Sequence, residues 1–273
     1  CYTGGEKGGR SSMEQPMLRA GISFTPAPDP RDHPAHTHDH HELYCFLAGD
    51  ARYAVEGTVY PLCPGDVMVM RRSESHHLML RSAAPYRRIV VSFTPPAGAP
   101  DGLLSAFTDR PLGQDNRYPA ALFGDERWAE RLTRLCAAPD PAVRSAYLTV
   151  LLWELAQSLP RLRREAPPAA ADPTAAVLAF INAHLTEPLS LDLLCARFYL
   201  SRSQLSRRFR SVTGASVWDY ITTKRLMLAR ELMAQGERPT AVFARCGFGD
   251  YVTFYRAYRR RFGTGPGDRR PSP

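Results

Sequence analysis

Residues 190–214 read SLDLLCARFYLSRSQLSRRFRSVTG, two short runs with helical apolar spacing separated by a tight turn. Ser190 sits where the first helix should begin. Ser201, with Gln204 three residues on, forms the reciprocal capping pair that opens a second helix, and Gly214 is placed to end it. Two short helices joined in this way make a helix-turn-helix unit. The design then recurs downstream. Ser216 and Asp219 open a longer helix running to Gly236, with Ile221, Leu226, Ala229, Leu232 and Met233 on its buried side. PTAVFARC (239–246) is a short helix stopped by Gly247, and Asp250 caps YVTFYRAYRRRF (251–262), which Gly263 ends.

The connecting helix of about 20 residues would measure about 30 Å at 1.5 Å per residue, nearly one turn of B-DNA. Two second helices held that far apart can enter successive major grooves on one face of a duplex. Charge supports a polyanionic partner. Residues 174–273 hold 16 lysines and arginines against 7 aspartates and glutamates, whereas residues 1–173 hold 19 against 20. Double-stranded DNA is the polyanion that such a distribution and such helices suit.

Leu205 and Phe209 are four apart and should point inward, leaving Arg202, Ser203, Ser206, Arg207 and Arg210 outward. Arg207 can present two donors to guanine, and Arg202 and Arg210 at the margins suit phosphate. In the later helix Phe254 and Tyr258 turn inward, so Tyr251, Val252, Thr253, Tyr255 and Arg256 face the groove, with Arg259, Arg260 and Arg261 toward the backbone.

The rest of the chain is of another kind. With 273 residues, 44% hydrophobic and 23% charged, it is long enough for two domains and too apolar for wholesale disorder. It has no apolar run of the roughly 18 residues that a membrane helix needs, and its opening CYTGGEKGGR is unlike a secretion signal, so a soluble cytoplasmic protein with no membrane partner is expected. The chain begins with Cys1 rather than Met, consistent with a missing upstream piece. Six scattered cysteines (1, 45, 63, 136, 195 and 246) form no Cys-x-x-Cys pair and read as reduced, mostly buried residues.

Residues 1–16, rich in Gly and Ser, read as a flexible tail. From there to residue 96, short apolar runs such as LYCFLA, DVMVM and RRIVVSF between Gly, Pro and Asp turns predict many strands. Residues 97–160 carry two helical patterns, 161–173 a charged and then Pro/Ala-rich linker, and 174–273 the helical domain.

These last hundred residues resemble the AraC-type bacterial transcription regulators. The resemblance runs from residue 174 to about 266 through PLSLDLLCARFYLSRSQLSRRFRSVTG, the YI...RL..A..LM connector and CGFGDYVTFYRAYRRRFG. It implies that Ser203, Ser206, Arg207, Tyr251, Thr253, Tyr255 and Arg256 read bases. Cys195 and Phe243 stand where Ala is usual, and Gly265 and Arg269 where Ser/Thr and an aromatic are usual.

HTHDHHELYCFLAG (36–49) similarly resembles the first motif of cupin barrels, through His36, His38, Glu42 and Gly49; Gly65 and His76 keep the spacing of the second, with Arg71 and Ser73 departing from it. The chain is thus expected to be multidomain: an all-β cupin-like barrel, an α-helical dimerisation segment and an all-α double helix-turn-helix domain. Positions 36, 38 and 42 share parity with Tyr44 and Phe46, so they can face one cavity, while His40, His41 and His77 alternate toward the surface. Arg52 and Tyr53 can face either way. His36, His38, Glu42, Tyr44 and His76 are the candidate effector-binding residues. His36, His38, Glu42 and His76 also suit a divalent metal, or else hydrogen-bond in the barrel mouth without one.

The resemblance implies a small-molecule effector, a sugar among the candidates, no required cofactor, a homodimer formed through residues 125–158, and contact with RNA polymerase if the protein activates. That helical stripe can equally pack on the barrel of its own chain. Two alternatives remain: a metal-dependent cupin enzyme fused to a DNA-binding domain, and a regulator whose barrel binds a protein partner.

Overall fold

The computed structural model describes residues 17–29, 33–95, 98–124, 127–165 and 173–268. The expected tail lies outside these, as does Asp172, whose carboxylate ahead of Pro173 suits the start of a helix. Eight strands form the amino-terminal half: β1 (Leu18–Thr25), β2 (His41–Ala48), β3 (Ala51–Val55), β4 (Thr58–Pro61), β5 (Val67–Met70), β6 (His76–Leu80), β7 (Tyr86–Phe93) and β8 (Arg117–Tyr118). They make two antiparallel sheets, ordered β1-β7-β2-β5-β8 and β4-β3-β6. Tyr44, Phe46, Tyr53, Tyr60, Met68, Met70, Leu78 and Tyr86 fill the space between them.

The outer face of the larger sheet is also covered. Leu43, Cys45, Val67, Val69, Ile89 and Val91 pack against α1 (Ser105–Thr108), α2 (Trp128–Ala137) and α3 (Pro141–Glu165), through Phe107, Trp128, Leu132, Leu148, Leu151, Leu152, Leu155 and Leu159. The leucine stripe of α3 therefore packs on its own barrel, and Val150 lies on the opposite face, half exposed. The helix runs through Pro160 to Glu165, so the first five residues expected in the linker are helical. Of the five cysteines described only Cys45 and Cys246 are buried; Cys63 is exposed.

Six helices follow: α4 (Pro173–Ala183), α5 (Leu191–Phe198), α6 (Arg202–Thr213), α7 (Val217–Ala234), α8 (Pro239–Arg245) and α9 (Tyr251–Phe262). The four caps expected at Ser190, Ser201, Ser216 and Asp250 form. The Ser190 hydroxyl accepts from the Leu193 amide, Ser201 and Gln204 complete a capping box, Ser216 accepts from Asp219, and Asp250 from Thr253. Between α5 and α6 the turn depends on Tyr199 in the left-handed region at φ 53°, its side chain 93% exposed. Two cores result. Leu194, Leu205, Phe209, Tyr220 and Ile221 close the first unit, and Leu226, Val242, Cys246, Phe254 and Tyr258 the second, with α7 contributing one end to each.

The halves meet through the β3–β4 turn. There Glu56, in the left-handed region at φ 48°, is 5% exposed and accepts from Lys224 Nζ at 2.6 Å, from Asn182 Nδ2 at 3.2 Å and from the Tyr220 hydroxyl. Lys224 also donates to the Ser73 carbonyl at 2.6 Å. Beside it Gly57, in the left-handed region at φ 86°, lies so close to α4 that a Cβ would stand 2.3 Å from Leu178 Cδ1.

Candidate nucleic-acid interface and histidine cluster

On α6, Leu205 and Phe209 are buried at 1% and 0% exposure, and this anchors the helix so that Arg202, Ser203, Ser206, Arg207 and Arg210 all face solvent. Arg202 is held by both oxygens of Asp192 on α5, at 2.9 and 2.7 Å. That pairing raises its pKa further and ties it across the turn of the unit. Arg207 and Arg210 make no ion pair among the described residues, so their guanidinium groups are available to a partner. On α9, Phe254 and Tyr258 are buried, and Val252, Thr253, Tyr255, Arg256, Arg259 and Arg260 are exposed. Tyr251 is half-buried, its ring edge-on to Phe243 at 5.7 Å, so it shares itself between the core and the surface. The Thr253 hydroxyl donates to its own cap Asp250 at 2.8 Å, at an exposed position. Tyr251, Val252, Tyr255, Arg256, Arg259 and Arg260 line one concave surface.

Arg261 departs from the sequence reading. It does not face a nucleic-acid backbone but reaches the other half of the chain, donating to the Thr37 carbonyl and hydroxyl at 3.1 Å each.

At the barrel mouth the structure brings His36, His38 and His76 together, with one ring nitrogen of each within 4.8 Å of the others. The Glu42 carboxylate lies 3.2 Å from His38 Nε2. Strand parity is not what assembles them: residues 36–40 are irregular, fastened to β6 by an isolated bridge between His36 and His76. His40 stacks on His38 at 3.8 Å and joins the cluster on Glu42's side. His41 is buried, against Phe93 and Phe107, and His77 is half-buried; neither is at the surface as their parity suggested. For His41 the error is physical, since alternation predicts exposure only where one face of a sheet meets water, and both faces of β2 are covered. Tyr53 turns inward, its ring 6.1 Å from that of His76, and Arg52 outward. Tyr44 lies deeper, its hydroxyl 2.5 Å from that of Tyr86.

The protonation pattern is informative. Nδ1 of His36, His38 and His76 lies 3.0, 2.9 and 2.9 Å from the carbonyls of Pro34, His40 and Glu74. A carbonyl only accepts, so each Nδ1 carries a proton, and in a neutral ring Nε2 keeps a bare lone pair. Burial pushes the His76 pKa down to about 3, so that ring is neutral at ordinary pH, and its Nε2 is buried with no hydrogen-bond partner. Burial pushes the Glu42 carboxyl up, but the adjacent His38 and the other surrounding imidazoles outweigh this and hold it below its ordinary value. Three imidazole nitrogens thus come together, each ring held by a carbonyl on its other nitrogen as metal-binding histidines are, and the Glu42 carboxylate stands beside His38. The residues fit a divalent first-row ion, and His36, His38, His76 and Glu42 would hold it.

Residues 27–167, just over half of the chain, match a family described as the AraC-like ligand binding domain, and residues 194–271 match a helix-turn-helix domain. The chain belongs to the AraC family. It is an AraC-type, DNA-binding transcription regulator with an amino-terminal ligand-binding domain. Among its relatives is the HTH-type transcriptional activator RhaS of Escherichia coli, 25% identical over 275 residues and covering 93% of each chain. Solved structures similar to it include the DNA-binding domain of AdpA in complex with a target DNA, 36% identical over 35% of this chain and 86% of that one, TM-score 0.34. Another is fatty-acid-bound ToxT of Vibrio cholerae, 12% identical over 91% of this chain and 93% of that one, TM-score 0.39. No helix among the described residues is long and apolar enough to cross a membrane.

Within the AraC-family reading, Arg207→Ala should weaken binding to the true operator by about 1–3 kcal/mol and relax preference at one base pair. Arg210→Ala should instead weaken all sequences alike and flatten the salt dependence. Titrations of matched and scrambled duplexes at several salt concentrations distinguish them, and an equal loss on both duplexes for Arg207→Ala would remove its base-reading role.

Proposed function

We propose that this regulator grips DNA through α6 and α9 together, with Ser203, Ser206, Arg207, Thr253, Tyr255 and Arg256 toward the bases and Arg202, Arg210 and Arg259 toward phosphates. A small effector is bound by the barrel at the mouth formed by His36, His38, Glu42 and His76, above Tyr44. The supporting observation is the repeated unit: two capped recognition helices, each with an exposed polar and basic face, joined by the 18 residues of α7, about 27 Å of helix. Selection of bound fragments from a random duplex pool at fixed salt tests it. Two short conserved blocks about one helical turn apart are expected; recovery of unrelated sequences overturns the reading.

The barrel is read as a sensor that returns its ligand unchanged. The cytoplasm is the compartment that suits such a regulator, and activation through RNA polymerase is proposed on the strength of the RhaS relative alone.

A homodimer is part of the proposal, through the side of α3 that does not pack on the barrel. Val143, Ala146, Val150 and Trp153 recur there at three- and four-residue intervals, with Val143 55%, Val150 50% and Trp153 48% exposed. That is the spacing of a helix-pairing seam. Trp153→Glu should convert dimer to monomer in sedimentation at micromolar concentration without lowering the melting temperature; an unchanged dimer would place the contact elsewhere.

A further inference from the structure

We propose that the histidine mouth is a sensor site for a zinc-class divalent ion, and that residues 35–39 relay its occupation directly to the DNA-binding half. The inference rests on the reading of the mouth as the effector site and names both its ligand class and its route of regulation. Three Nε2 atoms and one carboxylate form a nitrogen-rich, borderline donor set, which favours zinc, nickel or cobalt over magnesium or calcium. Glu42 is only 7% exposed beside these rings, and a cation would satisfy both its carboxylate and the buried, partnerless His76 nitrogen.

The same short segment that carries His36 and His38 is the part of the barrel that touches both helix-turn-helix units. Ala35 fits against Gly214, where a Cβ would stand 2.8 Å from the alanine methyl, at the carboxyl end of α6. Thr37 accepts from Arg261 of α9, and Asp39 pairs with Arg230 of α7 at 2.8 Å. On the other flank, the turn that leads to His76 holds Ser73 against Lys224 and Arg72 against Glu231 at 3.2 Å. The two flanks are tied to one another, since the Ser73 amide donates to the His38 carbonyl at 2.8 Å.

An ion with bonds of about 2.0 Å sets tetrahedral ligand atoms about 3.3 Å apart, and one ring nitrogen each of His36, His38 and His76 lies within 4.8 Å of the others. His36 and His38 are carried by the segment that seats Gly214, Arg230 and Arg261, so an ion that draws their rings onto buried His76 pulls on those seats. An ion that binds one arrangement of these contacts better than the other shifts the DNA-binding half by that difference.

The test uses the full chain stripped with a chelator. Zinc and, as a spectroscopic probe, cobalt(II) are titrated, with stoichiometry from calorimetry and coordination from the cobalt visible spectrum. DNA affinity is measured at fixed salt with and without zinc. One ion per chain is expected, with a DNA Kd that changes by at least about fivefold. His36→Gln, at an exposed position, should weaken zinc at least tenfold while the melting temperature stays; His76→Gln is the deeper second variant. The double variant Thr37→Ala/Asp39→Asn should bind zinc as the parent does, yet lose the response of DNA affinity.

Absence of zinc and cobalt binding at micromolar concentration overturns the metal site. Binding with an unchanged DNA Kd in the parent, or a response that survives Thr37→Ala/Asp39→Asn, overturns the relay. The effector-site reading fails separately, if a metabolite stabilises the parent and the His36→Gln and His76→Gln variants equally. A metabolite that needs His76 where zinc does not bind would leave that reading standing and sink only the ion.

Discussion

Glu56→Ala is expected to undock the barrel from the DNA-binding half. Lys224 is 6% exposed and Tyr220 3%, and both spend a polar group on the Glu56 carboxylate. With the carboxylate gone, the ammonium keeps only the Ser73 carbonyl, and an ion left without its counter-charge inside a protein costs about 3–5 kcal/mol. The chain can escape that cost by letting water in, so the loss falls on the contact between halves. Hydrogen exchange should rise in α4, in the first turns of α7 and in the β3–β4 turn, while the interior strands β2 and β5 keep their protection. Glu56→Leu combined with Lys224→Met should restore much of the docking, because replacing both partners by apolar groups of similar size leaves no buried charge. Unchanged exchange in Glu56→Ala would mean that Gly57, seated against Leu178, holds the junction without the ion pair.

This junction was invisible in the sequence, and the reason is distance along the chain. Glu56 and Lys224 are 168 residues apart, and neither stands in a pattern that marks it as buried. The caps were legible for the opposite reason. Ser190, Ser201, Ser216 and Asp250 each satisfy an amide three residues away, so residue type and offset suffice. The histidine cluster stands between these cases. Spacing brought out His36, His38, Glu42 and His76, yet strand parity sent His40 and His41 the wrong way, because the segment before β2 is irregular and β2 has no solvent face. Arg261 looked like one more cation in RAYRRRF. Its acceptor, Thr37, lies 224 residues upstream and carries no signal of its own.

Phe209→Ala and Phe254→Ala should each remove one reading head and leave the other. Both rings are fully buried, but in different cores: Phe209 packs with Leu194, Leu205 and Tyr220, and Phe254 with Val242, Cys246 and Tyr258. Loss of a buried phenylalanine costs about 3–5 kcal/mol, enough to melt a small three-helix unit. α7 gives Tyr220 and Ile221 to the first core and Leu226 and Ala229 to the second, so each half of the connector stays anchored when the other core fails. Each variant should therefore protect one of the two operator blocks and lose the other, Phe209→Ala the block read by α6 and Phe254→Ala the block read by α9. Affinity should fall by about 10²–10⁴, because a second linked contact multiplies the first only while both heads are held in place. Phe254→Ala should in addition release Arg261 from Thr37, which Phe209→Ala should not. If either substitution abolished both blocks in a single melting transition, the two units would be one cooperative core, and the paired-head architecture would not describe how this protein holds DNA.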